Sequence, residues 1–470
     1  MLFDRQGPFR LLAGLVLGAM LAALCAWSEL STPACWCAFA AGVCAVWWVT
    51  EALPLPATAL VPLVLFPVAG VLDEKQAAQG YGHPAILLLM GGFFLSAAME
   101  RSGLHRRLAL ALLQVIGGTS GPRLIGGFML ATGLLSMWIS NAATTLMMLP
   151  IALAVLQQTS SPGLRGSLLL GIAYASSIGG MATPVGTPPN VLFVGYYREL
   201  TGESYGFLEW CRVGFPIAAV LLPVSWILLA RGVHLEHPIE MPAMGRWRPA
   251  ERRMLVVFLV TAFAWVFRTA PAGGWVSWLG LSDSQGGAMI GDATVALAAT
   301  LVLFLVPAGR SGPNGGALLN WETAVQIPWG ILLLFGGGLT LARGFETSGL
   351  SESIGKSMVV LQGLPSLVIV LAICLLVNFL TELTSSTATV ALLLPILGEV
   401  AKSTQLPIDL VMIAGTISAS CAFMLPVATP PNSIVFGAGG IRSGMMARQG
   451  FTLNLISAIL ISLLCWLLIG

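Results

Sequence analysis

The chain matches itself. ILLLMGGFFLSAAMERSGL (86–104) resembles ILLLFGGGLTLARGFETSGL (331–350), SNAATTLMMLPI (140–151) resembles SSTATVALLLPI (385–396), and TPVGTPPNVLFVG (183–195) resembles LPVATPPNSIVFG (425–437). The first two pairs share an offset of 245 residues (86 to 331, 140 to 385), and the third shifts to 242 (187 to 429). Three matched segments in one order, near one offset, require a fold built from two copies of one unit.

The solvent of that fold follows from charge. Only 9% of the 470 residues are charged and 57% are hydrophobic, against about 25% charged in soluble domains. This is the composition of a polytopic, all-α membrane protein. Apolar stretches of spanning length lie near 11–30, 34–50, 53–72, 84–99, 167–181, 213–230, 254–270, 288–307, 327–342, 408–424 and 450–469, so eleven transmembrane helices are expected. The N-terminal stretch has a long apolar run without a clear A-x-A cleavage site, and is expected to be an uncleaved first helix. Segments 124–157 and 365–401 are too polar at their centres to cross simply, and are predicted as two re-entrant hairpins. Irregular backbone at that depth must face protein or a water-filled cavity.

With the N-terminus inside, fifteen of the 22 lysines and arginines fall inside, Arg5 and Arg310 among them, and seven outside. The bias predicts a cytoplasmic N-terminus and an external C-terminus. Loop 231–253, with five arginines, is its strongest anchor. An odd number of spans separates the halves, which therefore run in opposite directions. Local charges agree: 100–107 has three arginines against Glu100, whereas in 343–356 Arg343 and Lys356 are balanced by Glu346 and Glu352. Inverted repeats are a plan of secondary transporters, with the binding site near the midplane where the repeats meet. The expected division is an N-terminal helix (1–33), repeat 1 (34–235), a basic cytoplasmic loop (236–253) and repeat 2 (254–470).

Each repeat places a Ser/Thr cluster where one half-helix ends and another opens. TELTSSTATVALLLP (381–395) alone brings six hydroxyls and Glu382 into an apolar stretch. Free N–H groups and the dipole at a half-helix N-terminus suit an anion. In TPPN, Thr187 or Thr429 can cap, and Pro188 or Pro430 takes the first helical position, where no N–H is needed. The preceding Val-Gly and Val-Ala would be unwound, freeing carbonyl oxygens for a hard cation such as sodium. Hydroxyls that merely aid helix packing would be the plainer reading of one cluster, but four clusters paired by a repeat argue for a site. Segments 132–152, 176–195, 378–395 and 418–437 contain no Lys, Arg or His, and Glu382 is their one acid. A dianion there would meet dipoles but no fixed cation, so co-bound cations must offset its charge. That favours cation-coupled uptake over simple anion exchange. Glu382 itself is read as a hydrogen-bonding or capping residue of the hairpin.

At SNAAT, TELTSSTAT, GTPPN, ATPPN and WWVTEALPLPATALVPLVLFP (47–67), the chain resembles the divalent anion/sodium symporters, carriers of dicarboxylates, citrate and sulfate. The resemblance covers nearly the whole sequence. It implies a homodimer in the membrane lipid of the bacterial inner membrane, with a scaffold domain and a transport domain that moves as an elevator. It also implies a first hairpin motif at Ser140, Asn141 and Ala142 and a second at Ser385, Ser386 and Thr387. A first sodium would use Ser136, Ser140, Asn141 and the backbone around Gly186. A second would use Thr381, Thr384, Ser386 and the backbone at Ala428. Substrate carboxylates would meet both motifs with Thr187, Pro188, Thr429 and Pro430. Two departures stand out: Ala142 replaces a threonine of the first motif, and Ser386 an asparagine of the second.

The function implied is sodium-coupled import of a small divalent anion, chiefly a C4-dicarboxylate such as succinate. A dicarboxylate exchanger and a sodium/sulfate symporter remain open. An enzyme is not expected, because the polar centre lacks histidine, paired cysteines or clustered acids. A channel is disfavoured by a repeat that closes one site from both sides. The eight cysteines read as buried small hydrophobes, and the four histidines form no metal site. The net charge of +2 is spread over loops and gives no reason to expect nucleic acid.

Overall fold

Proline, glycine and capping residues divide the apolar runs into helices. The computed structural model describes residues 7–470, except 119, 160, 162, 236, 238, 240–243, 270–272, 282–288 and 310–315. Arg5, Arg310, the ends of the 254–270 and 288–307 spans, and parts of 1–33 and 236–253 therefore lie outside the described residues. Among those described no strand forms, and one isolated bridge joins Pro307 to Ala317.

The chain opens with α1 (Gly7–Trp27), α2 (Thr32–Thr50) and α3 (Leu60–Val68). The first repeat continues with α4 (Pro84–Ser102), α5 (Leu104–Ile116), α6 (Gly121–Ser136), α7 (Asn141–Leu156), α8 (Leu164–Gly180), α9 (Pro188–Thr201) and α10 (Phe207–Ala230). After α11 (Pro249–Val266) and α12 (Asp292–Leu305), the same order returns. It runs through α13 (Trp329–Thr347), α14 (Leu350–Ser357), α15 (Ser366–Thr381), α16 (Ser386–Thr404), α17 (Ile408–Ser418), α18 (Pro430–Gly437) and α19 (Ser443–Leu468). Helix breaks thus recur in register: 137–140 against 382–385, and 181–187 against 419–429.

Among the described residues, five segments are long and apolar enough to cross a membrane: Pro8–Trp27, Thr32–Thr50, Glu74–Ser102, Phe207–Ala230 and Ser443–Leu468. Leu55–Val68, Asn141–Leu156, Asp292–Leu305, Ser366–Thr381 and Ile408–Ser418 are apolar but shorter. The stretch expected as one span over 53–72 is Leu55–Thr58 followed by α3. Pro62 has no N–H to offer Thr58, four residues back, and Cys44 Sγ approaches that carbonyl oxygen at 3.9 Å. The 408–424 span stops at Ser418, where the chain unwinds.

Burial places these breaks at the centre. Helix α8 is buried from Gly166 to Gly180, and α17 from Leu410 to Ser418. By contrast α1 leaves Phe9, Leu12, Leu15, Val16, Met20 and Leu24 exposed, the surface expected against acyl chains. The two repeats interlock through their broken helices: α18 packs on α7 and α8, while α9 packs on α16 and α17.

Candidate substrate and cation site

In repeat 1 the Ser140 side chain caps α7, accepting from Ala143 N at 3.4 Å. Asn141 then projects back towards the end of α6. Ser136 Oγ donates to Asn141 Oδ1 at 2.7 Å, and Ser176 Oγ donates to the Asn141 carbonyl at 2.8 Å. The amide needs room on α8: a Cβ on Gly180 would overlap Asn141 Oδ1. Gly186 is equally constrained, because its Cβ would overlap the Gly180 carbonyl. The expected first-cation residues Ser136, Ser140 and Asn141 therefore cluster where α6, α7 and α8 meet, and Gly186 lies against Gly180. Ala142, half-buried beside them, brings no polar atom.

Asn190, the last residue of the first TPPN, holds this loop in place. Its Nδ2 donates to the carbonyls of Gly180 at 3.0 Å and Thr183 at 2.8 Å. Thr187 is the N-cap of α9 at 6% exposure, with extended backbone, and its hydroxyl makes no capping bond. Pro188 and Pro189 follow in the first turn.

Repeat 2 reproduces the frame with different contents. Thr429 Oγ1 caps α18, accepting from Asn432 N at 3.3 Å, and Pro430 follows. Asn432 Nδ2 donates to the carbonyls of Ala422 and Leu425, both at 3.0 Å. The Oδ1 atoms of Asn190 and Asn432 are both buried without a partner among the described residues. Ala428 is buried just before the cap, and Pro426 accepts from Ser433 Oγ at 2.7 Å. Thr381 and Thr384 bond back to Asn378 and Leu380, at 2.9 and 2.8 Å, and Thr384 meets Thr389 Oγ1 at 2.6 Å. Ser385 is the N-cap of α16 without a side-chain capping bond, so the first-turn N–H groups stay available. Ser385, Ser386 and Thr387 are half-buried at that end.

Glu382 is 3% exposed. Its carboxylate accepts from the N–H groups of Met424 at 2.8 Å and Leu425 at 3.0 Å, and from Asn454 Nδ2 at 2.7 Å. Asn454 also accepts from Phe423 N, and Asn378 Nδ2 reaches the Asn454 carbonyl and Ser457 Oγ. These bonds tie the hairpin break to the unwound segment 419–429. Repeat 1 makes the same joint differently, with Thr183 Oγ1 donating to the Met137 carbonyl at 2.5 Å. Asn190, Asn432, Ser176, Thr183, Asn378 and Asn454 had no assigned role in the sequence. The one signal for any of them was the asparagine repeated in both TPPN motifs.

The two breaks also face different surroundings. Trp138 stacks on Phe207 (5.8 Å between ring centroids) and Trp265 (6.5 Å), and meets Phe258 edge-on at 5.0 Å. At the equivalent place in repeat 2, Leu383 is 73% exposed, and nearby Val427 is 81% exposed.

A family model described as the sodium:sulfate symporter transmembrane region matches residues 8–470. The chain belongs to this family. Among relatives of this sodium:sulfate symporter family member is the sodium-dependent dicarboxylate transporter SdcS of Staphylococcus saprophyticus. It is 38% identical over 448 residues, covering 90% of this chain and 84% of its own length. SdcS of Staphylococcus aureus is 37% identical over 445 residues, covering 90% and 83%. Two solved transporters share the fold. Alcanivorax borkumensis YdaH aligns with a TM-score of 0.54 at 15% identity, over 82% of this chain and 86% of its own. Neisseria gonorrhoeae MtrF aligns with a TM-score of 0.59 at 12% identity, over 90% and 96%. Family membership and apolar surface together make the chain a multi-pass membrane protein.

Proposed function

We propose that this family member is a secondary active transporter that imports a small dianion together with sodium, with a C4-dicarboxylate such as succinate as substrate. The observation that carries the reading is a buried site of hydroxyls, amides, carbonyls and helix N-termini without a fixed cation. Its one carboxyl group, that of Glu382, accepts three hydrogen bonds and forms no ion pair among the described residues. A dianion at such a site is neutralised by sodium ions bound beside it. The dicarboxylate preference is taken over from SdcS, whose name states it.

In this reading the substrate carboxylates meet Ser140, Asn141, Thr187 and Pro188 from one repeat, and Ser385, Ser386, Thr387, Thr429 and Pro430 from the other. One sodium sits by Ser136, Ser140, Asn141 and the Gly186 backbone, and the other by Thr381, Thr384, Ser386 and the Ala428 backbone. Helix pairs α6–α7 and α15–α16 are the re-entrant hairpins of an eleven-span inverted repeat, divided as the sequence suggests, and they move with α8–α10 and α17–α19 as an elevator against a dimeric scaffold. The chain lies in a bacterial inner membrane with its N-terminus in the cytoplasm.

Uptake of labelled succinate into proteoliposomes tests this. An inward sodium gradient should drive accumulation without internal dicarboxylate. Transport that ignores sodium and requires internal dicarboxylate would instead identify an exchanger, and strong competition by sulfate would move the substrate to the tetrahedral anions.

A further inference from the structure

Helices α1 and α2 form an antiparallel hairpin whose closest approach is at two glycines. A Cβ on Gly42 would lie 2.9 Å from Gly18 Cα, and one on Gly18 would lie 2.7 Å from the Phe39 carbonyl oxygen and 2.9 Å from Val43. Small residues let helices pack closely in lipid, where no hydrophobic effect drives them together. Towards the start of α1 hydrogen bonds also tie the pair. Trp47 Nε1 donates to the Leu11 carbonyl at 3.1 Å, and Arg10 donates to the Thr50 carbonyl at 3.4 Å.

Two cysteines stand on the other side of the crossing. Cys25 lies seven residues after Gly18 (18 to 25), and Cys35 lies seven residues before Gly42 (35 to 42). Seven residues are two turns, about 10.5 Å of rise, and return a side chain to nearly the same face of its helix. In an antiparallel pair, equal displacement from the crossing brings both positions to the same height. The packing confirms the two faces. Gly14 leaves room for the Trp47 ring and Leu21 lies against Gly42, so 14, 18, 21 and 25 form the stripe of α1 that meets α2. Phe39 and Gly42 face α1 in turn, and 35 continues their spacing. Leu30, in the connecting turn, touches both cysteines. Its N–H donates to the Cys25 carbonyl at 3.0 Å, and Cys35 Sγ approaches its carbonyl oxygen at 3.9 Å. Both thiols are free and half-buried, whereas five of the other six cysteines are buried.

We propose that Cys25 and Cys35 are a redox-modifiable pair, joined as a disulfide across the outer end of the α1–α2 hairpin. With the N-terminus inside, as proposed above, this end faces the external compartment, where disulfides form and persist. The inference goes beyond the transport reading and takes only that orientation from it. The oxidant is a disulfide of the external compartment. One cysteine thiolate attacks it to give a mixed disulfide, and the other displaces the remaining half. The oxidant is thereby reduced to two thiols, which carry away the two electrons and both protons. The bond supplies at this end the tie that hydrogen bonds supply at the other. Ser31 Oγ, at the start of α2, donates to the Ser348 carbonyl at 3.2 Å, so α1 is stapled to a helix that the second repeat already holds.

The test dissolves cells expressing the full-length chain directly in sodium dodecyl sulfate with excess N-ethylmaleimide, and reads the cysteine peptides by mass spectrometry. Cys25 and Cys35 should escape the label and take it only after dithiothreitol. In C25A or C35A the remaining cysteine should be labelled at once. Reduction should lower the melting temperature of the purified wild type in mild detergent and leave that of either variant unchanged. A disulfide tolerates Cα separations of only about 4.4–6.8 Å. If oxidised glutathione therefore leaves both thiols open in the purified protein, the two cysteines do not face each other and the proposal fails. A bond that forms there while the pair is open in cells would also overturn it, as a native modification. A membrane-impermeant maleimide then tells whether the orientation failed with it: labelling of Cys25 from the cytoplasmic side alone would mean that it did. The sodium dependence of uptake stands or falls separately.

Discussion

Asn190 and Asn432 each spend both amide hydrogens on two carbonyls of an unwound segment. The Thr183 and Leu425 carbonyls also accept from the N–H groups of Gly186 at 3.4 Å and Ala428 at 3.2 Å, so the carbonyls that depend on the amide are those of Gly180 and Ala422. Substituting either residue by alanine should cost about 1–3 kcal/mol for each carbonyl left unsatisfied, read as a lower melting temperature in detergent. It should also raise the sodium concentration needed for uptake, because the backbone we propose to face the cation is no longer held. A variant that melts normally and transports normally would leave the asparagine without that role. Asn141→Ala separates binding from folding. Its side chain takes one hydrogen bond, from Ser136, so the fold should survive while sodium-dependent binding is lost. Unchanged sodium binding would refute the assignment of Asn141 to the cation.

Breaks between helices were the most legible elements in the sequence. Ser/Thr clusters, Thr-Pro-Pro and the internal repeat marked the breaks at 137–140 and 382–385 and the last residues before each TPPN, because capping and proline chemistry act through side chains that sequence displays; the unwinding from Ser418 onward fell inside an expected span. What tethers one break to another was much less legible. In repeat 1 the tether ends on the backbone carbonyl of Met137, and a carbonyl leaves no trace in residue identity. In repeat 2 it ends on Glu382, whose hydrogen-bonding role could be expected, though its partners Met424, Leu425 and Asn454 could not. The eleven-span count rested on apolar length. It met a stretch where Pro62 interrupts the helix at Ala59 and another where α17 stops at Ser418. The Glu382 joint gives a graded expectation. Glu382→Ala orphans three donors, at about 1–3 kcal/mol each before relaxation, whereas Glu382→Gln keeps an acceptor oxygen and loses less. Thermal unfolding should therefore rank wild type above Gln and Gln above Ala. Equal melting of Gln and Ala would mean that the hydrogen bonds are not what holds the hairpin.

Across the whole molecule, two mirrored breaks sit in unlike settings. The first is locked by Trp138, in a stack that runs through Phe207 to Trp265, whose rings lie 5.0 Å apart, with α11 supplying Phe258 and Trp265. Each such aromatic contact adds about 0.5–1.5 kcal/mol beyond burial. The second presents Leu383 and Val427 to an open face. On the transport reading the site opens to each side in turn; we infer that the exposed second break marks the open side and that the Trp138 stack keeps the first side shut. With the N-terminus inside, the second hairpin belongs to the external face. Leu383→Cys should then react with a membrane-impermeant maleimide added outside right-side-out vesicles, and Trp138→Cys should not. Five of the eight native cysteines are buried, leaving Cys25, Cys35 and Cys211 to be replaced first. Sodium with succinate should slow labelling of Leu383→Cys, because a filled site draws the hairpin over it. Labelling from the cytoplasmic side alone would reverse the orientation deduced from the arginine bias. Equal labelling of both positions from outside would show that the aromatic stack does not close the first side.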